Sequence, residues 1–192
     1  MSYKRKFKLS RSNIRTIVVI VAILGFAAYE QIYNDKVYLP PSFTKVINKT
    51  LDPYDKSIKG RATISDGDTI RIGITKIRLD AIDAPELSQN CFLKNGKPYP
   101  CGQDAKRKLE ILIGQNNVRC DYSKKDQYGR LLAICYNDQG QDLNAAMVTS
   151  GNALAYLYYS NRYNAEQSTA KTTAQGIWQG KFKEPYLFRQ EK

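Results

Sequence analysis

Short runs of strand-forming residues, most of which alternate apolar with polar positions, recur along the chain from Ile58 onward and predict β-strands. The runs cover roughly residues 58–65, 69–74, 76–82, 117–122 and 130–136, and turns that contain glycine separate them. Alternation with a period of two is the pattern of a strand that buries one face. The sequence therefore predicts a domain built around five strands.

Three other segments predict helices, and the first of them spaces its apolar residues as a helix does. The first, residues 103–113, lies between the third and fourth strands and has basic residues on its outer positions. Further helices are expected over residues 143–150 and from about 164 to 175, each ending at a glycine. Five strands with a helix inserted after the third predict an α+β fold, an OB-type five-stranded Greek-key barrel with three helices.

The N-terminal segment, residues 1–29, predicts a targeting element. It carries six basic residues and no acidic residue, followed by an uncharged run of twelve residues from Ile17 to Ala28. This run is shorter than the ~20 residues of a spanning helix, and it fits a signal peptide cleaved after Ala27. Flanking residues could instead extend it into an uncleaved anchor helix. Either form predicts export, with the basic end left in the cytoplasm.

The rest of the chain divides into three parts. Residues 30–57, which include several prolines, are interpreted as a linker or lead-in, residues 58–180 as the folded domain and residues 181–192 as a C-terminal tail. The net charge is +12, of which +6 remains when residues 1–29 are left out. This excess favours an anionic partner, either nucleic acid or an anionic membrane.

The four cysteines all follow the targeting segment, and their even number permits two disulfides in three possible pairings. Cys91 and Cys101 bracket one loop, while Cys120 and Cys135 fall in the two apolar runs that flank the turn at residues 126–130. We predict the pairs Cys91–Cys101 and Cys120–Cys135, with free buried thiols as the alternative. A zinc site is disfavoured because the chain has no Cys-x-x-Cys pair and no histidine.

Acidic and basic residues recur in three short motifs. Asp66-Gly-Asp-Thr69 predicts a turn, Arg78-Leu-Asp-Ala-Ile-Asp-Ala-Pro-Glu86 adds an arginine and further acids, and Asp126-Gln-Tyr-Gly-Arg130 delivers a second arginine. Carboxylates suit a hard divalent cation, and guanidinium groups suit phosphate oxygens. The absence of histidine excludes nucleases that use a histidine base and the usual serine or cysteine triads.

The order and spacing of these motifs, with Gly176-Ile-Trp178 near the end, resemble the staphylococcal nuclease family over roughly residues 58–180. The resemblance implies the same barrel fold. It also implies a Ca²⁺ site in which Asp68 and Asp83 are ligands and the backbone carbonyl of Ala84 is a third. Ala84 replaces a threonine common at that position, which matters little if only the carbonyl coordinates.

The resemblance also implies catalytic roles. Glu86 would position or activate the attacking water, while Arg78 and Arg130 would hold the scissile phosphate and stabilise its transition state. Such electrostatic donors are each worth on the order of 3 kcal/mol in a transition state.

Three tyrosines are expected to contact the substrate. Tyr156 and Tyr158 lie where the family places nucleotide-pocket tyrosines, although tyrosines in such alternating stretches are also common as half-buried core residues. Tyr128 lies beside the second arginine. Gln127 replaces a lysine of the family pattern, which predicts weaker phosphate contacts around Tyr128.

These observations predict a Ca²⁺-dependent, monomeric nuclease that hydrolyses DNA and RNA outside the cytoplasm, with single-stranded substrates favoured. If the N-terminal segment is uncleaved, it would also bind the membrane. Two alternatives are a non-catalytic nucleic-acid-binding OB module and a membrane-tethered scaffold protein. A binding module has no use for the metal acids, because unpaired carboxylates would repel phosphate.

Overall fold

The computed structural model of the chain describes residues 54–156 and 161–191, together with Val19 and Val21. The predicted targeting segment therefore lies outside the described residues, except for these two valines, which are helical and exposed. Within the described part of the chain, no helix is both long enough and apolar enough to cross a membrane.

The described residues form short strands and helices in the following order. The strands are β1 (Lys56–Ile64), β2 (Thr69–Ile72), β3 (Thr75–Leu79), β4 (Ile82–Asp83), β5 (Cys91–Leu93), β6 (Pro98–Tyr99), β7 (Asn117–Lys125), β8 (Leu131–Tyr136), β9 (Leu154–Ala155) and β10 (Gly180–Lys181). The α-helices are α1 (Cys101–Ile113), α2 (Leu143–Thr149), α3 (Asn164–Thr172) and α4 (Pro185–Gln190), and Gly176–Gln179 form a 3₁₀ helix.

Five strands close into a barrel in the order β1, β2, β3, β8, β7. The β1–β7 pair closes it, with Ile58 opposite Cys120. The β3–β8 pair is parallel, with Ile77 opposite Leu131, and the other pairs are antiparallel. The five longer strands are those that the alternating pattern predicts, and the OB-type barrel is confirmed.

The barrel interior and the faces of α1 and α2 share one apolar core. The fully buried side chains include Ile70, Ile77, Leu79, Leu109 and Met147. Ile70, Ile77 and Leu79 lie at alternate positions of their strands, which is the periodicity that the sequence analysis used. The core holds both the strands and α1 in place, so residues at the strand ends have a rigid support.

The third predicted strand is shorter than expected. The sequence predicts one strand over residues 76–82, but β3 ends at Leu79 and Ala81 has a φ of 61°, in the left-handed region. A non-glycine residue rarely adopts this conformation. The reversal sends Ile82 and Asp83 into a separate short strand, β4, which pairs with β9.

The three predicted helices are present as α1, α2 and α3, and α3 ends at Thr172 rather than near residue 175. The first strand begins at Lys56, two residues before the predicted start. The additional elements are the short strands β4, β5, β6, β9 and β10, and helix α4 within the segment interpreted as a tail.

Both predicted disulfides are formed. Cys91–Cys101 ties β5 to the first residue of α1, and Cys120–Cys135 joins directly opposed residues of β7 and β8. No described cysteine is free. Disulfides persist in oxidising compartments, so two of them fit an extracytoplasmic environment.

Candidate active site

Asp68 closes the turn between β1 and β2. Its backbone N–H donates to the Oδ1 of Asp66 (3.0 Å), and its carbonyl accepts from the N–H of Leu79 (2.8 Å). Gly67 allows this turn to pack closely, because a Cβ there would lie 2.7 Å from the Cβ of Ala84 and 2.8 Å from that of Ala105. The turn is therefore pressed against the segment that follows β4.

Arg78 links the first two acidic residues. On the neighbouring strand β3 it lies opposite Thr69, beside Asp68. Its Nη1 is 2.6 Å from the Oδ1 of Asp68, and its Nη2 is 2.8 Å from the Oδ1 of Asp83. The carboxylates of Asp68 and Asp83 thus meet at one guanidinium group, with only 4% and 3% of each residue exposed.

The position of Asp83 depends on the sharp turn at Ala81. The Oδ1 of Asp80 accepts from the N–H of Ala81 (2.8 Å), and the buried side chain of Asn144 donates to the carbonyl of Asp80 (2.9 Å). The carbonyl of Ala81 accepts from the N–H of Tyr156 (2.9 Å). These bonds hold the left-handed residue in place, so Asp83 faces Arg78.

Glu86 lies in a loop that is fixed from two sides. The buried side chain of Gln89 accepts from the Glu86 N–H (3.1 Å) and donates to the carbonyl of Lys183 (2.7 Å). On the other side, Gly102 of α1 approaches so closely that a Cβ would lie 1.8 Å from the carbonyl oxygen of Glu86. The Glu86 backbone is therefore well ordered, while its side chain remains about one third exposed.

A third arginine reaches the acids from the C-terminal helix α4. Arg189 makes two parallel bonds of 3.0 Å to the two carboxylate oxygens of Asp83 and contacts the Oε1 of Glu86 at 2.8 Å. We call Asp68, Asp83 and Glu86 the acid cluster. It is bound by two guanidinium groups, those of Arg78 and Arg189.

Burial and mutual repulsion shift the pKa values of the carboxyl groups. Burial raises the pKa of Asp66 to about 6, and the charge of Asp68 adds to the effect. Burial also raises the pKa of Asp83, although hydrogen bonds from Arg189 oppose the shift. Burial disfavours the Arg189 charge, but its bonds to Asp83 and Glu86 dominate and raise its pKa above the ordinary value. The site therefore has more buried negative charge than its guanidinium groups neutralise.

Arg130 occupies a separate turn, residues 126–130, which we call the Arg130 turn. Its Nε is 2.7 Å from the Oδ2 of Asp126, and its guanidinium lies over the Tyr128 ring at 5.5 Å from the centroid. Asp126 also accepts from the backbone N–H groups of Tyr128 and Arg130, both at 2.9 Å. The described contacts of Arg130 are thus made within this turn and not with the acid cluster.

The predicted substrate tyrosines occupy different surroundings. Tyr128 is 74% exposed beside Arg130. Tyr156 is partly buried and follows β9, next to Ala81. Tyr158 lies outside the described residues.

The donor groups fit a hard divalent cation. Asp68 and Asp83 offer carboxylate oxygens from adjacent segments, as Ca²⁺ and Mg²⁺ prefer. The acid cluster has three carboxylates against two guanidinium groups, which leaves one net negative charge to attract a cation. Among the described residues, no three His, Cys, Asp or Glu side chains form a ready ligand set. Backbone oxygens, water or substrate would complete the coordination.

Four residues of this site were missed by sequence reasoning. Asp66, Gln89 and Asn144 act through turn and loop hydrogen bonds, and Arg189 is 103 residues from Glu86 along the chain. Asp66 was noted only as part of a turn. The sequence did not identify the other three, because each has a partner that only the fold brings close: Lys183 for Gln89, Asp80 for Asn144 and Asp83 for Arg189.

Comparison with known proteins matches residues 76–180 to the family model described as staphylococcal nuclease homologue. An uncharacterized endonuclease from Haemophilus influenzae is 39% identical over 122 residues, which cover 60% of this chain and 62% of that protein. The succinoglycan biosynthesis protein ExoI from Rhizobium meliloti is 35% identical over 123 residues, covering 63% and 64% of the two chains. A micrococcal nuclease from Shigella flexneri is 30% identical over 143 residues, covering 66% and 76%.

The matched region spans a little under two thirds of the length of the first two relatives. The match to the family model, residues 76–180, contains Arg78, Asp83, Glu86 and Arg130. Asp68 lies before this match, on the turn that precedes β2. Strands β1 and β2 also precede the matched residues but belong to the same closed barrel.

Proposed function

Since this chain belongs to the staphylococcal nuclease family, we propose that it is a Ca²⁺-dependent nuclease that hydrolyses phosphodiester bonds in DNA and RNA. The observation that carries the proposal is the meeting of the buried Asp68 and Asp83 carboxylates at the Arg78 guanidinium. The relatives from Haemophilus influenzae and Shigella flexneri bear the names endonuclease and nuclease, which supports the same reaction class.

Asp68 and Asp83 would hold the cation, with the Ala84 carbonyl as a further ligand. When bound, Ca²⁺ supplies positive charge that polarises the phosphate and stabilises its transition state. The attacking water needs no histidine in this design, since the carboxylate of Glu86 can accept its proton as the oxygen bonds to phosphorus. The bond to the leaving oxygen then breaks, and this alkoxide takes a proton from solvent. Glu86 is suited to this role because its side chain is partly exposed next to Asp83.

The arginines supply charge stabilisation. Arg78 already donates through both terminal nitrogens, so its guanidinium is oriented before substrate arrives. Arg130 would approach the phosphate from the Arg130 turn after exchanging its bond to Asp126 for one to a phosphate oxygen. A planar guanidinium can make two parallel bonds to phosphate, which lysine cannot.

Single-stranded nucleic acid is the proposed preferred substrate. A barrel with exposed aromatic residues can stack unpaired bases, and Tyr128 offers such a ring beside Arg130. Tyr156 and Tyr158 are proposed to line the nucleotide pocket. A monomer is sufficient for this chemistry, because every proposed catalytic group comes from one chain.

The proposed location is outside the cytoplasm. The two disulfides and the basic, apolar N-terminal segment support export. In this arrangement residues 1–29 act as a signal peptide or a retained anchor, and the barrel lies on the extracytoplasmic side.

The experiment is a cleavage assay on denatured DNA with the purified, disulfide-bonded protein in Ca²⁺ and in EGTA, comparing wild type with Glu86→Gln. Glu110→Gln is the matched control, because Glu110 is an exposed glutamate of α1. We expect Ca²⁺-dependent cleavage that Glu86→Gln lowers roughly 100-fold or more while DNA binding is retained. Tight DNA binding without cleavage by the wild type would instead establish a binding module. The absence of both binding and cleavage would favour a scaffold role.

A further inference from the structure

Arg189 occupies the coordinating oxygens of Asp83. The Oδ2 of Asp83 accepts from Arg189 Nη2, and its Oδ1 accepts from both Arg189 Nη1 and Arg78 Nη2. Arg189 also contacts Glu86, the proposed base. A metal ion that binds the same carboxylate needs the lone pairs that these N–H groups use, and it would be repelled by the guanidinium charge.

Arg189 is more exposed and less firmly held than Asp83, so Arg189 is the partner that can leave. The Arg189 side chain is 36% exposed, whereas that of Asp83 is 4% exposed and held by the barrel. Helix α4 has only six residues, of which Pro185 alone is buried, while Tyr186 and Leu187 are 48% and 45% exposed. Displacing α4 would therefore expose Pro185 and the half-buried Phe188 but would leave the barrel core intact.

Arg78 cannot play the same part. Its side chain is 19% exposed and lies between Asp68 and Asp83 on strand β3 of the closed barrel. Arg189 is the outer of the two guanidinium groups and belongs to the last helix of the chain. Of the two, it is the one that a cation from solvent would replace.

We infer that Arg189 is a built-in counterion that competes with the divalent cation for Asp83, so that α4 closes the site without metal and is released when metal binds. This inference rests on the proposed metal role of Asp83. It adds that the affinity for metal is set partly by a residue 106 positions away along the chain. Until Arg189 leaves, its guanidinium also holds the Oε1 of Glu86.

The test is calorimetric titration of Ca²⁺ into the full-length wild type, Arg189→Gln, Lys183→Gln and Asp83→Asn, without nucleic acid. Lys183→Gln is the matched control, because it removes one positive charge from the same segment but the Lys183 side chain pairs with Glu191. Hydrogen exchange of residues 185–190 is followed in the same samples with and without Ca²⁺.

We expect Arg189→Gln to bind Ca²⁺ roughly three- to tenfold more tightly than wild type and Lys183→Gln to bind as wild type. Ca²⁺ should speed exchange in residues 185–190 of the wild type, and Arg189→Gln should exchange rapidly even without Ca²⁺. Arg189→Lys, which keeps the charge but loses the paired bonds, should fall between the two.

Equal or weaker Ca²⁺ binding by Arg189→Gln, with binding still lost in Asp83→Asn, would overturn the competition and leave the proposed metal site standing. Slower exchange of residues 185–190 in Ca²⁺ would overturn it as well. If neither wild type nor Arg189→Gln bound Ca²⁺, both the competition and the proposed Ca²⁺ role of Asp83 would fall.

Discussion

The acid cluster and the Arg130 turn supply the two parts of the proposed site, and they are built in different ways. Asp68, Asp83 and Glu86 are brought together by contacts between segments far apart in sequence, and two of them are almost fully buried. Arg130 is held by Asp126, four residues before it. Changes in the acid cluster should therefore affect both stability and activity, whereas changes in the Arg130 turn should affect activity with little loss of stability.

The largest effect is expected for Arg78→Gln. It leaves the buried Asp68 carboxylate without its guanidinium partner, so we expect the free energy of unfolding in EGTA to fall by roughly 3 kcal/mol. Turnover should fall on the order of 1000-fold, since a transition-state donor is lost as well. Urea denaturation and initial rates measure both quantities. Arg71→Gln is the control, because Arg71 is an exposed arginine on β2. Unchanged stability of Arg78→Gln would contradict the expected difference in stability between the acid cluster and the Arg130 turn.

Arg130→Ala should separate activity from stability. We expect turnover to fall roughly 100-fold and the free energy of unfolding to change by less than about 1 kcal/mol. Although burial works against it, the Arg130 hydrogen bond lowers the pKa of Asp126. Arg130→Ala should therefore show its whole loss of stability above pH 3.8, the unfolded-state pKa of Asp126. The loss should disappear as the pH falls through the lower pKa that Asp126 has in the folded protein.

Arg119→Ala is the matched control for this change. Arg119 also pairs with a nearby aspartate, Asp121, and lies over a tyrosine ring, Tyr136, at 4.4 Å from the centroid. It should lose a similar small amount of stability and keep full turnover. Unfolding of Arg130→Ala, or an equal loss of activity in Arg119→Ala, would show that Arg130 has no special role.

Asp66→Asn should stabilise the metal-free protein. Asn keeps the oxygen that accepts from the Asp68 N–H but removes a buried charge. Because the folded pKa is raised to about 6 from 3.8, the cost of ionising Asp66 is full above pH 6 and vanishes below 3.8. We expect a gain on the order of 1 to 2 kcal/mol at pH 7.5 that is lost by pH 4.

Denaturation curves in EGTA at several pH values measure this gain. Asp138→Asn, in an exposed turn, is the control and should show no comparable pH-dependent gain. If the difference in the free energy of unfolding between Asp66→Asn and wild type were the same at every pH, the ionised Asp66 carboxylate would not be the cause of the destabilisation.

The smallest effect is expected for Tyr128→Ala. Its ring is exposed, so stability should change by no more than about 0.5 kcal/mol. Loss of one stacked base should raise KM for single-stranded DNA by roughly fivefold, and Tyr128→Phe should keep the wild-type value. An equal rise in both variants would assign the effect to the hydroxyl group instead of the ring.

The sequence predicted the elements in which apolar residues recur with a clear period. The five barrel strands and the helices α1, α2 and α3 are long enough for alternation or helical spacing to be visible. Strands such as β4 and β9 have two residues each, and they depend on partners brought close by the barrel. The early end of β3 was missed because a left-handed alanine has no sequence signature comparable to glycine.

The acid cluster could be anticipated because its members lie within one motif and the turn before it. Asp68 and Asp83 lie close together, each bonded to Arg78, whereas the motifs predicted a contact of Arg78 with phosphate and no contact with the two acids. Arg189 could not be anticipated, since the only link between it and Asp83 is the folded chain itself. The roles assigned to the individual residues remain predictions for the experiments above.

The two disulfides join neighbouring cysteines in chain order, the first with the second and the third with the fourth. A chain that enters an oxidising compartment from its N-terminus therefore exposes Cys91 and Cys101 before Cys120 arrives. Pairing each cysteine with the next available one gives the native bonds directly. If the protein is exported as proposed, its maturation should consequently depend on an oxidant for thiols and have little need for a disulfide isomerase.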